Sequence, residues 1–335
     1  MTVAEAFSNQ AKSCIAMGSP FLGQLLRLVA ERLEPDNAVA ETILNWSGDP
    51  HTRADSLPLR LAGSLHALKL ENLAFSEVFP PNTPDDDTLW RAINVSFTAH
   101  EAHFLHWLKS PPQTNEVRRS AILLAALAEV AKRYPDQPIA LFELGASGGL
   151  NLLADHYQLR LPGLTLGSDA AKVVLKPDWS GPLPPAKLPQ VVVRQGVDLA
   201  PLDASNPNDR LRFLAYLWPD QPERLHLTEL ALSEVQKSSL GLDTGDAGPW
   251  LEGALARPQS ALRVVFHTVA WQYFPRDTKA RVLRSLSQSE TPLLQISMEA
   301  DDETPGALVT LTHWPEARVE TLGRADFHGR WVVWH

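Results

Sequence analysis

The sequence predicts an α/β protein in which a helical N-terminal domain precedes a mostly parallel sheet. Three observations lead there. Up to about Asp136 apolar residues recur at helical spacing, after "YPDQP" short β-branched runs alternate with helical stretches, and the last three such runs follow one another closely. In "PFLGQLLRLVAERLE", Phe21, Leu22, Leu25, Leu26, Val29 and Leu33 share one broad face. "SLPLRLAGSLHALKL", "TLWRAINVSFTAHEAHFLHWL" and "EVRRSAILLAALAEVAKRY" repeat that pattern, so residues 1–136 are expected to form an α-helical domain. Residues 137–335 are expected to form the α/β domain, with strands at "IALFEL", "QVVVR", "ALRVVF", "PLLQIS", "ALVTLTHW", "ARVETL" and "WVVW". Alternation of strand and helix makes a parallel sheet, and the three closely spaced final runs predict antiparallel edge strands. "KPDWSGPLPPAKLP" is too stiff and too poor in N–H donors for a central element, and is read as part of a proline-rich insertion near 160–190.

Composition narrows the function classes. A 335-residue chain with 44% hydrophobic and 21% charged residues has enough apolar material for a proper core. Its formal charge of −9 lacks the basic surplus of a phosphate-tracking protein, which disfavours nucleic acid as a partner. Cys14 is the single cysteine, so an intrachain disulfide and a thiolate metal cluster are excluded. "MTVAEAFSNQAKSCIAMGSP" has neither the basic start nor the apolar stretch of a signal peptide, and no 18-residue apolar run follows. A cytoplasmic protein without a membrane segment is expected; oligomeric state is not legible.

The chemistry concentrates in "FELGASGGLNLL", Phe142 to Leu153. From Gly145 it reads G-x-S-x-G, a nucleophile elbow with Ser147 as the attacking serine and Asp246 with His267 or His313 completing a triad. Against this hydrolase reading, the residues that should supply earlier strands and an oxyanion-hole loop are helical. A dinucleotide fingerprint would need glycine where Leu150 stands, and the Lys-Ser/Thr of a P-loop is absent. What remains is an acid, Glu143, closing the first strand two residues before a glycine turn. This resembles the first motif of class I S-adenosylmethionine-dependent methyltransferases, a Rossmann-like fold. The resemblance implies a glycine backbone against the cofactor, with Glu143 near its ammonium group and Gly145, Ser147, Gly149 and Asn151 in the binding turn. Glycine permits close backbone approach, and a cationic ligand wants a carboxylate nearby.

Later segments fit the same plan. "VVVRQGVDLAPLD" puts Asp198 after the second strand, where the class binds ribose hydroxyls; "LGLDTGDAGPWLEGAL" puts Asp246 where it contacts adenine. Either could instead cap a helix or turn. "RVVFHTVAWQYFP" takes the fourth-strand place, whose end faces the transferred methyl. His267 is there the candidate base, Tyr273 a candidate orienting donor and Trp271 a substrate contact, while a buried aromatic strand end is the plainer alternative.

Together with "QTNEVRRS", "RQGVDLAPLD" and "YLWPDQPERL", the glycine turn also resembles a bacterial family of uncharacterised proteins, over nearly the whole chain and in the family's order. The family implies a helical domain followed by a methyltransferase-like sheet. It implies no activity. Within "QTNEVRRS", Asn115, Glu116 and Arg118 are candidates for a substrate-binding wall, and a helix cap is the plainer use. "HEAHFLHW" offers His100, His103 and His106, but not the spacing of a zinc-protease helix, so no metal is expected. Trp218 and Arg224 are candidates to cover the cofactor cleft. The expected function is methyl transfer from S-adenosylmethionine to a small-molecule acceptor, with a non-catalytic cofactor- or partner-binding descendant of the fold as alternative and a Ser147 hydrolase less favoured.

Overall fold

The structure, a computed structural model, describes every residue of the chain except Arg53 and Asp302. Helices α1 (Val3–Ala16), α2 (Pro20–Arg32), α3 (Ala38–Leu44), α4 (Leu57–Leu70), α5 (Asp86–Ala99), α6 (Glu101–Trp107) and α7 (Ser120–Arg133) come first. Strand β1 (Ile139–Leu144) leads into a 3-10 helix (Leu150–His156), then to β2 (Gln158–Leu161), β3 (Leu164–Leu166), β4 (Val174–Leu175), β5 (Asp178–Ser180) and β6 (Val191–Asp198). Helices α8 (Pro207–Ala215) and α9 (Pro222–Val235) precede β7 (Gly241–Thr244), α10 (Ala247–Ala256) and β8 (Leu262–Thr268). The chain ends with α11 (Arg276–Ser287), β9 (Leu293–Glu299), β10 (Ala307–Trp314), β11 (Arg318–Ala325) and β12 (Trp331–Trp334).

Two compact units result: Met1–Thr114 with Asn206–His226, and Asn115–Ser205 with Leu227–His335. The first is helical. Thr2 and Glu5 form a reciprocal capping box at the start of α1, and Asn37 and Asp85 cap α3 and α5, satisfying N–H groups that a helix start leaves open. The apolar stripe of α2 packs Leu22, Leu25, Leu26 and Val29 into a core with Phe7, Leu61, Leu65, Phe97 and Phe104. Segment 206–226 completes this unit. The His66 ring on α4 bonds the carbonyls of Ala215 and Leu217 at 3.2 and 2.8 Å, and burial holds its pKa down to about 4. Asp220 caps the start of α2, accepting from the Ser19 hydroxyl and from the Phe21 N–H at 2.9 Å.

The second unit is built on a nine-stranded sheet in the order β5-β12-β11-β10-β9-β8-β1-β6-β7. From β7 to β9 all neighbours run parallel, β10 to β12 form an antiparallel meander, and β5 closes the far edge parallel to β12. Numbered along the chain, the five parallel strands stand in the order 3-2-1-4-5, a Rossmann-like arrangement whose direction of growth reverses between β1 and β8. One face buries Ala140, Phe142 and Leu144 of β1 with Leu251, Val282 and Leu286; Glu143 points to the other face by strand alternation. The proline-rich stretch supplies the edge strand β5, and β2, β3 and β4 form a separate small sheet. These lie between the 3-10 helix and β6.

The expected boundary at 136 and the observed division differ. Helix α7 has helical periodicity, yet Ser120 through Ala128 are all buried, as befits a helix packed inside the sheet unit. Periodicity identifies a helix but not what it packs on. Segment 206–226 is likewise separated from the first 114 residues by the intervening strands, so sequence order hides its unit. After its glycine turn "FELGASGGLNLL" continues as a 3-10 helix, kinked at Leu153.

One packing contact in the helical unit is open to direct test. A Cβ at Gly63 would lie 2.5 Å from Cε1 of Tyr216. Gly63→Ala should therefore destabilise the protein by about 1 to 3 kcal/mol, as overpacking does. Tyr216→Leu should relieve the clash in the double variant. Urea unfolding of the three variants reads both effects, and an unchanged midpoint for Gly63→Ala would contradict the packing.

Candidate functional site

In a 3-2-1-4-5 sheet, the crevice for a ligand lies at the carboxyl ends of the strands where the order reverses. The glycine turn occupies that place. After Glu143 the chain turns through Gly145 (φ +76°), Ser147 (φ +51°) and Gly149 (φ +71°), all in the left-handed region. The N–H groups of Gly145 and Ala146 donate to Val197 O at 2.9 and 3.0 Å, and Ser147 N–H donates to Asp198 Oδ2 at 2.9 Å. Asp198 Oδ1 accepts from Ala200 N–H at 3.0 Å. Its carboxylate thus fastens the glycine turn to the end of β6. The close approach at Gly145 is made by the protein itself, since a Cβ there would lie 2.8 Å from the Ala270 Cβ. Glycine at 145 is therefore required by the protein's own packing.

Glu143 is 2% exposed, and its Oε2 has no hydrogen-bond partner. Burial, reinforced by the Asp198 carboxylate, pushes its pKa well above the ordinary 4.5. The amide of Asn151 and the charge of Arg119 oppose that rise. Asn151 Nδ2 also lacks a partner of good hydrogen-bonding geometry, so its help to Glu143 is a near approach rather than a formed bond. Ser147 Oγ, 4% exposed as a residue, likewise lacks one. The shell behind them is well tied: Ser120 Oγ donates to Asn151 Oδ1 at 2.7 Å, and Leu150 N–H to Asn115 Oδ1 at 2.8 Å. Tyr157 donates to Leu150 O at 2.7 Å.

From Asn115 onward "QTNEVRRS" therefore belongs to the sheet unit, where it supports the glycine turn. Asn115 touches the turn directly, whereas Glu116 accepts from Arg118 N–H and Nε, both at 3.2 Å. Arg119 and Ser120, which sequence reasoning passed over, are more closely engaged. Arg119 donates to Thr268 O at 3.1 Å and to Phe327 O at 2.8 Å, joining the start of α7 to the end of β8. Asn151 was expected in the binding turn, whereas Ser120, the last residue of "QTNEVRRS", was not singled out.

At the end of β8 a chain of hydrogen bonds fixes the state of His267. Trp314 Nε1 can only donate, and it meets Gln295 Oε1 at 3.0 Å. Gln295 Nε2 then donates to His267 Nε2 at 3.0 Å, so that nitrogen is unprotonated and Nδ1–H donates to Glu299 Oε1 at 2.8 Å. His267 is a neutral ring with both nitrogens engaged. Glu299 Oε1 also accepts from Ala270 and Trp271 N–H at 3.0 and 3.1 Å. These bonds hold a turn in which Val269 has φ +53°, a strained conformation for a β-branched residue. Trp271 stacks on His267 with centroids 5.1 Å apart, and Tyr273 on the same turn is 62% exposed. A base at His267 would need a free lone pair, which this arrangement does not leave. Glu299, the acid ending the fifth parallel strand, was missed; its place after "PLLQIS" was the available signal.

Other expectations fall elsewhere. Asp246 caps α10 through Gly248 N–H at 2.8 Å and accepts from the Thr278 hydroxyl, so both its oxygens serve the fold. Gly149 faces Leu240 and Leu242, each 3.1 Å from where its Cβ would be. Leu242 also lines a cavity of about 370 Å³ beside Gly148, Leu202, Asp203, Ser205 and Gln236. His313 lies against Glu320 at 3.0 Å and His267 is occupied as described, so neither ring reaches Ser147 Oγ as a triad requires. In the helical unit, His103 bonds Ser64 O at 2.9 Å and Arg224 covers the Trp218 ring. Among the described residues no group of three His, Cys, Asp or Glu side chains could hold a metal, and no helix is long and apolar enough to cross a membrane.

The buried Glu143 carboxyl makes stability depend on pH. A folded-state pKa raised above the unfolded value means that the unfolded chain ionises first, so stability falls as pH rises from about 4.5 toward the raised value. Glu143→Gln removes this loss. Its unfolding free energy relative to the parent should increase with pH by up to about 1.4 kcal/mol per unit across that window. Denaturant unfolding at a series of pH values checks the slope, and parallel curves would show that Glu143 ionises normally.

Comparison with protein families gives one relation. A profile described as uncharacterized protein conserved in bacteria (DUF2332) matches residues 4–334. No curated protein and no solved structure matches the chain. The profile spans both units, the glycine turn and the Glu299 turn alike, and the chain belongs to this bacterial DUF2332 family.

Proposed function

We propose that the sheet unit binds S-adenosylmethionine at the carboxyl ends of β1 and β6 and transfers its methyl group to a small-molecule acceptor. The observation that carries this reading is the trio of buried, unpartnered polar atoms at the glycine turn: Glu143 Oε2, Ser147 Oγ and Asn151 Nδ2. Buried polar groups are nearly always bonded, so a cluster of exceptions at the switch point of an α/β sheet suits a ligand. An acceptor, a hydroxyl and an amide donor together match the ammonium and carboxylate of an amino-acid end. The cavity beside Gly148 falls in the range of small-ligand pockets, and Leu242 on its wall stands in the same strand row as Gly196 and Glu143.

When bound, the cofactor supplies an electrophilic methyl group. The chain's own part is to hold the amino-acid end at Glu143, Ser147 and Asn151, and to keep the turn rigid through Asp198. The 268–274 turn, fixed by Glu299 and carrying Trp271 and Tyr273, is the proposed acceptor side, where orientation and exclusion of water aid displacement. Asp198 accepts the N–H groups of Ser147 and Ala200, so ribose recognition by it would compete with those bonds. Occupancy of both His267 nitrogens favours a second reading, a cofactor-binding descendant without turnover, because His267 has no free lone pair for an acceptor.

Calorimetry with S-adenosylmethionine and S-adenosylhomocysteine tests the reading: both should bind. Ser147→Ala should weaken S-adenosylhomocysteine about 2- to 13-fold, the worth of one net hydrogen bond, and leave thermal stability unchanged because Ser147 Oγ has no partner to lose. Absence of binding by the parent chain would overturn the proposal. Labelling of Ser147 by a fluorophosphonate would replace it with the hydrolase.

A further inference from the structure

Glu143 ends the central strand of the sheet, and charged or titratable groups face it from every side. Asp198 stands at the end of β6, Arg119 at the start of α7, and Tyr157 just beyond the 3-10 helix, with Ser147 and Asn151 completing the surroundings. Nearest in effect is another carboxylate. Arg119, whose Nε and Nη1 are bonded to the carbonyls of Phe327 and Thr268, opposes the rise by its charge. A 2%-exposed carboxylate in such a place, with Oε2 bonded to nothing, would bear a large desolvation cost. The group therefore keeps its proton until a cation arrives, and the raised pKa agrees with the geometry.

We propose that Glu143 is the specificity-determining group of the turn and exchanges its proton for the ammonium group of the incoming ligand. This rests on the reading of the turn as a cofactor site and adds a proton to its binding equilibrium. The carboxyl O–H bond breaks, the proton passes to solvent buffer, and the carboxylate accepts N–H donors from the ligand's ammonium. One charge leaves as one charge arrives. Selection follows from the same balance. An adenosyl ligand bearing an ammonium repays the ionisation of Glu143, whereas a neutral nucleoside leaves Glu143 protonated and forgoes that contact. By linkage, affinity for the ammonium ligand rises up to about tenfold per pH unit while free Glu143 is protonated, and levels off above its raised pKa.

Calorimetry of the full chain with S-adenosylhomocysteine, in buffers of different ionisation enthalpy from about pH 5.5 to about 7.5, counts the protons while the ligand's own amine stays charged. The expected result is proton release that is largest at the low-pH end of the range and never exceeds one, no release with 5′-methylthioadenosine, which lacks the ammonium, and no release in Glu143→Gln. The parent should also outbind Glu143→Gln by a ratio that grows with pH. Binding of S-adenosylhomocysteine without proton release would overturn the exchange and leave the cofactor reading standing. Equal release in Glu143→Gln would overturn it, because the proton would then come from another group. Failure of S-adenosylhomocysteine to bind would overturn both. If Glu143→Gln does not fold, the two ligands on the parent chain decide the question alone.

Discussion

A carboxyl group buried at the end of a central strand has to be neutralised by a proton or a cation, and the surroundings of Glu143 are organised by that demand. Ordinary interior positions on β1 are apolar and close on themselves, as Phe142 and Leu144 do on the opposite face. Glu143 cannot. Asn151, Ser120 and Asn115 are fixed around it by bonds that leave Glu143 Oε2, Ser147 Oγ and Asn151 Nδ2 unanswered. Replacing such a group by an apolar residue of similar size is commonly neutral or stabilising, so the cluster is hard to explain as a device for stability. A ligand that answers all three atoms gives the arrangement a physical reason.

Two carboxylates share the work of shaping the strand ends. Asp198 fastens the glycine turn to β6, and Glu299 fastens the 268–274 turn to β9 by accepting three N–H donors on one oxygen. The turns then meet where Gly145 leaves room for Ala270. Val269 in a left-handed conformation is sustained by this bracing, since strain of that kind persists only where the surroundings determine the backbone fully. His267 belongs to the bracing. Its neutral state follows from the donor-only indole of Trp314 two bonds away, a constraint that reaches the strand end through Gln295.

Much of this was open to reading beforehand, for reasons specific to each segment. The β-branched runs at 139–144 and 262–268 declared themselves as buried parallel strands, and "ELGASGG" declared a turn because three residues in seven are glycine. Glu143 was legible as an acid where the pattern should have stayed apolar. Asp198 and Asp246 were legible as strand-end acids, but the same residue type serves a ligand, a turn or a helix cap, and here both bind backbone N–H groups. His267 stood out by its aromatic neighbours. Its bonds to Glu299 and Gln295 come from residues about thirty positions away, which no local pattern relates to it.

The sequence by itself determined the order of helices and strands, the position of the glycine turn and the presence of an acid before it, because periodicity and backbone permissiveness are local properties. Tertiary structure decided which helices accompany the sheet, sending α7 to it and segment 206–226 to the helical unit, because burial depends on partners far along the chain. It also decided the state of each titratable group. Whether a carboxyl keeps its proton or a histidine keeps a lone pair depends on desolvation and on the neighbours brought within bonding distance, and only the folded sheet brings Asp198 beside Glu143 and Gln295 beside His267.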